Sequence, residues 1–110
     1  MVELKRIVYC TDARGRSLYL RWLESLKDVR TRARIQNKVR QLRLGNFSKC
    51  KSVGDGIHEL KIHFGSGYRV YFATEGEKIV VLIGGGDKST QSLDIKNVKI
   101  NYSAYKEKRV

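Results

Sequence analysis

The segment from Ile57 to Phe72, IHELKIHFGSGYRVYF, constrains the fold more than any other stretch of the chain. Leu60, Ile62 and Phe64 alternate with Glu59, Lys61 and His63. Tyr68, Val70 and Phe72 alternate in the same way with Arg69, Tyr71 and Ala73. A period of two marks half-buried strands, because successive side chains leave a strand on opposite faces. Gly65-Ser66-Gly67 between them reads as the loop of a hairpin, with a glycine near its end to supply the left-handed conformation. That loop opposes Phe64 to Tyr68 and His63 to Arg69. Lys61, His63, Arg69 and Tyr71 then share the face opposite the apolar set. All four can bind phosphate or move a proton.

A third strand follows from Lys78 to Ile83 (KIVVLI), joined through Glu75-Gly76-Glu77. Its unbroken apolar run predicts a central strand, largely buried or covered on both faces. Gly84-Gly85-Gly86 ends it and allows a bend at the sheet rim. A glycine run can also cradle phosphate, but neither a P-loop nor a dinucleotide fingerprint surrounds this one. A last helix from Ser89 carries its apolar stripe at Ile95, Val98, Tyr102 and Tyr105, with Asp87 or Ser89 as its cap.

Upstream, LKRIVYC at positions 4–10 reads as a first strand. Asp12 serves as N-cap for a helix with Leu18, Trp22 and Leu26 along its stripe, and Trp22 is a core residue. After a break near Lys27-Asp28-Val29, a second helix with Ile35, Val39 and Leu42 on one line runs to about Leu44. Gly45-Asn46 stops it. Positions 45–56 read as a loop anchored by Phe47 and Val53, from which Lys49 and Lys51 reach a substrate backbone. His58, on the apolar side of its strand, is structural. The whole is a small α+β domain spanning positions 1–110 in the order β-α-α-β-β-β-α. Its sheet is twisted and mostly antiparallel, with the helices packed on one face. A chain of this length buries about two-thirds of its unfolded surface.

Charge narrows the partners. Lys and Arg number 23 against 11 Asp and Glu, a formal charge of +12 with a pI near 10.0. Such a field attracts polyanions. Between Val29 and Gly54 there are eight basic residues, Arg34 and Lys38 among them, and no acidic one. A charge run is commonly a solvated face. Without acids to pair with, however, these charges repel one another, which favours an external anion. Cys10 and Cys50 stand alone, as reduced thiols of a cytoplasmic protein do. No apolar leader or long apolar run appears, so secretion and membrane spanning are not expected. No cluster of ligands demands a metal, and no cofactor is implied.

The element order, the ELKI…GSGYRVYF hairpin and the KIVVLIGGGDKS run together resemble the RelE/HigB superfamily of bacterial toxin–antitoxin killer proteins, in particular the branch called addiction module killer protein. The similarity runs from about Val8 to Tyr105. It implies a RelE-like fold and a toxin that cleaves messenger RNA on the ribosome. It also implies neutralisation by a cognate antitoxin, which in this branch usually carries a helix-turn-helix DNA-binding domain. By position, Arg69 matches an arginine that contacts the scissile phosphate, and Lys61 a lysine near the 2′-hydroxyl or phosphate. His63 falls where relatives carry arginine or histidine. Lys88 of GGDKS lies close to a second arginine that helps the leaving group. The chain departs from the pattern in having no tyrosine between Gln91 and Asp94, and in Glu59, where some relatives carry lysine. The general base is therefore left open.

Metal-free RNA cleavage needs a group to take the 2′-hydroxyl proton, positive charge for the phosphorane, and help for the departing 5′-oxygen. An ordinary imidazole titrates at about pH 6.5, which suits His63 to proton transfer. Arg69 is suited to bidentate phosphate contact. Lys49, Lys51, Tyr71, Arg34 and Lys38 are the expected RNA-binding residues. Two alternatives stand beside this expectation. One is a ParE-like inhibitor of DNA gyrase on the same fold; the other is a non-catalytic nucleic-acid-binding module that uses the basic helix face.

Overall fold

The computed structural model describes residues 3–108. Its elements are β1 (Arg6–Tyr9), α1 (Leu18–Ser25), α2 (Val29–Leu42), β2 (Cys50–Gly54), β3 (Ile57–Ile62), β4 (Tyr68–Glu75), β5 (Ile79–Asp87) and α3 (Gln91–Glu107). A single 3₁₀ turn, Lys88–Thr90, leads into α3. The strands form one sheet in the order β1-β5-β4-β3-β2, antiparallel except for the parallel pair β1 and β5. The α+β class and the mostly antiparallel sheet are as expected. Several details differ.

Positions 45–56 are not all loop: Cys50–Gly54 form the edge strand β2, paired with β3. Its alternation is broken by a register shift between Ser52 and Gly54, which hides the strand from a periodicity reading. Asp12 is not the cap of α1. It accepts hydrogen bonds from the backbone N–H groups of Arg14 (2.8 Å) and Arg16 (2.9 Å), and so closes a turn ahead of the helix. The cap is Ser17, whose hydroxyl accepts from Leu20 N–H at 3.2 Å. Asp28 caps α2 by accepting from Arg30 N–H at 2.9 Å, just where the chain was expected to break.

The hairpin keeps its faces and changes its partners. Ile62 opposes Tyr68 and Lys61 opposes Arg69, so the loop runs from His63 to Gly67 rather than over the three residues Gly65-Ser66-Gly67. Within it Gly67 N–H donates to Phe64 C=O at 3.1 Å, a tight turn that takes Phe64 and His63 out of the ladder. A shift of two residues preserves which side chains share a face.

The helices lie on both faces of the sheet, not one. Tyr19 and Leu23 of α1 and Ile35, Val39 and Leu42 of α2 bury Leu60, Ile62, Val70, Phe72, Val80 and Leu82. On the other face Val98 and Tyr102 of α3 cover Ile57, Tyr71, Ala73, Val81 and Ile83. The run Val80–Ile83 is fully buried because it feeds both cores in turn. The glycines that follow belong to β5 itself and let the helices approach. A Cβ at Gly85 would strike the Trp22 indole from one side, while Cβ atoms at Gly84 and Gly86 would strike Val98 and the Asp94 carboxylate from the other.

Candidate functional site

Five of the sequence-nominated side chains meet in one cleft of about 520 Å³. The outer face of α2 brings Arg34 and Lys38, since positions four apart stack on one side of a helix. The approach to β2 brings Lys49, the end of β3 brings Lys61, and the hairpin loop brings His63. All five are exposed. Asn37, Ile62 and Phe64 complete the lining, and no acid is among the residues that form it. Like charges held together in this way keep a high positive potential, because no counter-charge within the wall offsets it. One cation is held against the wall: the Arg34 guanidinium carbon lies 4.3 Å from the centre of the Phe64 ring.

Arg69, Tyr71 and Lys51 go elsewhere. Arg69 and Tyr71 lie on the sheet face that α3 covers and are 5% and 0% exposed. Tyr71, expected at an RNA surface, is a core residue. Both surround Glu59, itself only 1% exposed. Glu59 Oε2 accepts from Gln91 Nε2 at 2.8 Å and stands 3.9 Å from Arg69 Nε. Lys51, directly opposite Glu59 on β2, brings its Nζ to 3.9 Å of Oε1 from the solvent side. Arg69 Nη1 donates to Gly67 C=O at 3.0 Å, tying the strand to its own loop. Burial pushes the Tyr71 phenol well above its ordinary range, and the carboxylates of Glu59 and Asp94 push it further. Among the described residues the Tyr71 hydroxyl and Arg69 Nε meet no hydrogen-bond partner. Tyr71 is thus held neutral, in a pocket whose one fully buried carboxylate faces a buried guanidinium.

Lys88 stands beside the hairpin loop, because Tyr68 pairs with Asp87 and carries the end of β5 alongside. It shares a shallow depression with Ser66, Asp87 and Ser89. Asp87 is a cap, accepting from Ser89 N–H at 2.9 Å and from its hydroxyl at 2.6 Å. The Ser89 hydroxyl bond is the main reason the Asp87 carboxyl is lowered below its ordinary value. Among the described residues no three His, Cys, Asp or Glu side chains gather as a metal would require. No helix among them is long and apolar enough to cross a membrane.

Sequence reading passed over three residues of this region. Glu59 shares strand parity with Lys61, Arg69 and Tyr71, and that was the available signal for its pairing. Phe64 belongs by parity to the apolar set of its strand, which gives no sign of Arg34 on α2, and nothing local marks Gln91 as the partner of a carboxylate.

The fold is RelE-like. The structure of an Escherichia coli RelE toxin mutant in the free state superposes with a TM-score of 0.58 at 19% identity, covering 86% of this chain and 97% of that one. In sequence, the model of the family described as phage derived protein Gp49-like matches residues 21–106. An uncharacterized protein of Haemophilus influenzae is 49% identical over 79 residues, which span 72% of this chain and 80% of that protein. The chain belongs to the Gp49-like family.

Proposed function

We propose that this chain is the toxin of a toxin–antitoxin pair, a cytoplasmic endoribonuclease that cleaves messenger RNA on the ribosome without a metal. The observation that carries this reading is the cleft: Arg34, Lys38, Lys49, Lys61 and His63 converge with no acid in the wall. The Escherichia coli protein that shares its fold is the RelE toxin. A cognate antitoxin, most simply a helix-turn-helix DNA-binding protein, is the expected partner beside ribosome and mRNA.

In this mechanism the neutral His63 imidazole takes the 2′-hydroxyl proton, and the 2′-oxygen attacks the adjacent phosphorus. The 5′-oxygen leaves with a proton given by the Lys88 ammonium, giving a 2′,3′-cyclic phosphate and a 5′-hydroxyl, and the proton held on His63 returns to Lys88 through solvent. Lys61 neutralises charge that develops on the phosphorane, and Lys88 assists the leaving oxygen from the far side of the hairpin loop. Arg69 pairs with Lys61 across β3 and β4, is buried, and is engaged by Glu59. Direct contact with the scissile phosphate therefore requires it to exchange that carboxylate for phosphate.

The test is primer extension on programmed ribosomes with wild type, Lys61→Ala, His63→Ala and Arg69→Ala. Wild-type cuts that all three substitutions diminish support the reading; no cuts, or cuts unaffected by them, overturn it. The burial of Arg69 favours a second reading, a non-catalytic RNA-binding module. In that case charge reversal at Arg34 and Lys38 abolishes the biological effect while Arg69→Ala leaves it intact.

A further inference from the structure

We propose that Arg34 and Phe64 form a stacking subsite for an unpaired RNA base, which makes the cleft selective for single-stranded nucleotides. The inference rests on the reading of the cleft as an RNA site. Its starting point is the contact between the two side chains: the Arg34 guanidinium carbon lies 4.3 Å from the Phe64 ring centre, at a distance where cation and π face attract. Phe64 is half-buried and packs against the core, so the ring under the guanidinium has its own support.

Arg34 is otherwise exposed and has no ion pair or hydrogen bond among the described residues. Its guanidinium is therefore a flat cation set over the Phe64 ring and otherwise exposed, at the wall of a cleft that also carries Lys38, Lys49 and Lys61. A planar base laid on its exposed side continues the stack begun by Phe64. Stacking on arginine planes and aromatic rings is how proteins hold splayed, single-stranded bases. The lysines act as point charges and take the flanking phosphates in whatever register the base sets. A base inside a duplex is already stacked on both faces and offers no free plane. An acidic peptide would satisfy the lysines but gains nothing from the plane.

The probe is a short single-stranded RNA carrying 2-aminopurine, compared with the same strand in a duplex and with strands made abasic at each position in turn. Anisotropy measures affinity and 2-aminopurine quenching reports the stack. Arg34→Lys keeps the charge and removes the plane, at an exposed position that leaves the fold intact. We expect it to weaken the single strand about tenfold, the scale of one lost base stack. The salt dependence should stay unchanged, because the number of neutralised phosphates is the same. Phe64→Leu should weaken binding in the same sense, and Lys38→Ala should instead lower the salt slope by about one. At one position an abasic strand should bind wild type no better than it binds Arg34→Lys.

Arg34→Lys binding as tightly as wild type overturns the proposal, as does an abasic series with no sensitive position. Wild type holding the duplex as tightly as the single strand overturns it too. So does a polyglutamate peptide that binds wild type more tightly than the RNA and loses affinity on Arg34→Lys. Stacking intact in a protein that cuts nothing on ribosomes would refute the nuclease reading alone.

Discussion

Glu59 and Arg69 face each other diagonally across β3 and β4 with Oε2 3.9 Å from Nε, and each side chain is more than nine-tenths withdrawn from water. Removing water from two opposite charges is expensive, and their mutual attraction only offsets that cost while both are present. Gln91 from α3 completes the shell of the carboxylate, so the pair also fastens the last helix to the hairpin.

Breaking this pair from one side should be costly. Glu59→Leu leaves the guanidinium buried without its counter-ion and lowers the unfolding free energy by about 3 kcal/mol. Glu59→Leu combined with Arg69→Met should cost less than Glu59→Leu alone. Urea denaturation of the single and double variants measures the coupling. Strictly additive losses would show that the two charges do not stabilise each other.

His63 and Lys61 separate by kinetics. In single-turnover cleavage on programmed ribosomes, His63→Ala should slow the chemical step by about 10² to 10⁴ if it carries the proton. Lys61→Ala should slow it by about 10² to 10³ through lost charge stabilisation. Binding of a non-cleavable RNA should fall far more for Lys61→Ala than for His63→Ala. A His63→Ala protein that cuts at the wild-type rate would remove the imidazole from the mechanism.

The glycine run makes a packing prediction. Gly85→Ala inserts a methyl group into the Trp22 indole, and overpacking of this kind costs about 1–3 kcal/mol. In a Trp22→Leu background the same change should cost clearly less, because the obstacle has gone. Thermal or urea melts of the four proteins in this cycle decide it. An unchanged penalty without the indole would place the strain in the backbone instead.

Cys10 offers a pH-dependent readout. Burial raises its thiol from 9.0 to about 11, and its Sγ donates to Asn101 C=O at 3.7 Å. At pH 8 the thiolate fraction is then about a hundredfold below that of an unburied thiol. A thiol reagent should label Cys10 only as fast as the protein unfolds, and Cys50, also raised by burial, sluggishly. The folded pKa lies above the unfolded one, so the stability linked to Cys10 is complete below pH 9 and is lost as pH rises towards 11. Tyr19, which burial raises to about 12, extends that loss further into alkali. Denaturation midpoints at pH 7 and pH 10.5 check the sign. A midpoint that does not fall at pH 10.5 would contradict it.

Periodicity carries a reading as far as each element's own faces. The stripes Ile35-Val39-Leu42 and Ile95-Val98-Tyr102-Tyr105 were legible because helical spacing repeats over several turns. The apolar run of β5 already implied cover on both faces, which a layout with every helix on one side cannot supply. The edge strand β2 escaped notice because a register shift interrupts its short alternation. The hairpin register missed by two residues, since loop length depends on how Gly67 folds back onto Phe64 and not on the glycines alone. For the candidate site, strand parity grouped Lys61, Arg69 and Tyr71 correctly. Only the placement of α3 decides that Arg69 and Tyr71 are buried while Lys61 is left at the surface. The stack of Arg34 on Phe64 joins α2 to the hairpin loop, a contact between distant positions that no local pattern announces.

The pairing of Arg6–Tyr9 with Ile79–Leu82 has a bearing on how the chain comes into being. Translation makes β1 before any other strand, yet its one neighbour in the sheet is the last strand to emerge. Until β5 is complete, the backbone of β1 has no ladder to join, and each core lacks the residues that β5 supplies. The hairpin and the helical pair can form early, from contacts close in sequence. Closure of the sheet therefore needs its two most distant strands to meet, a contact of long sequence separation of the kind that slows folding.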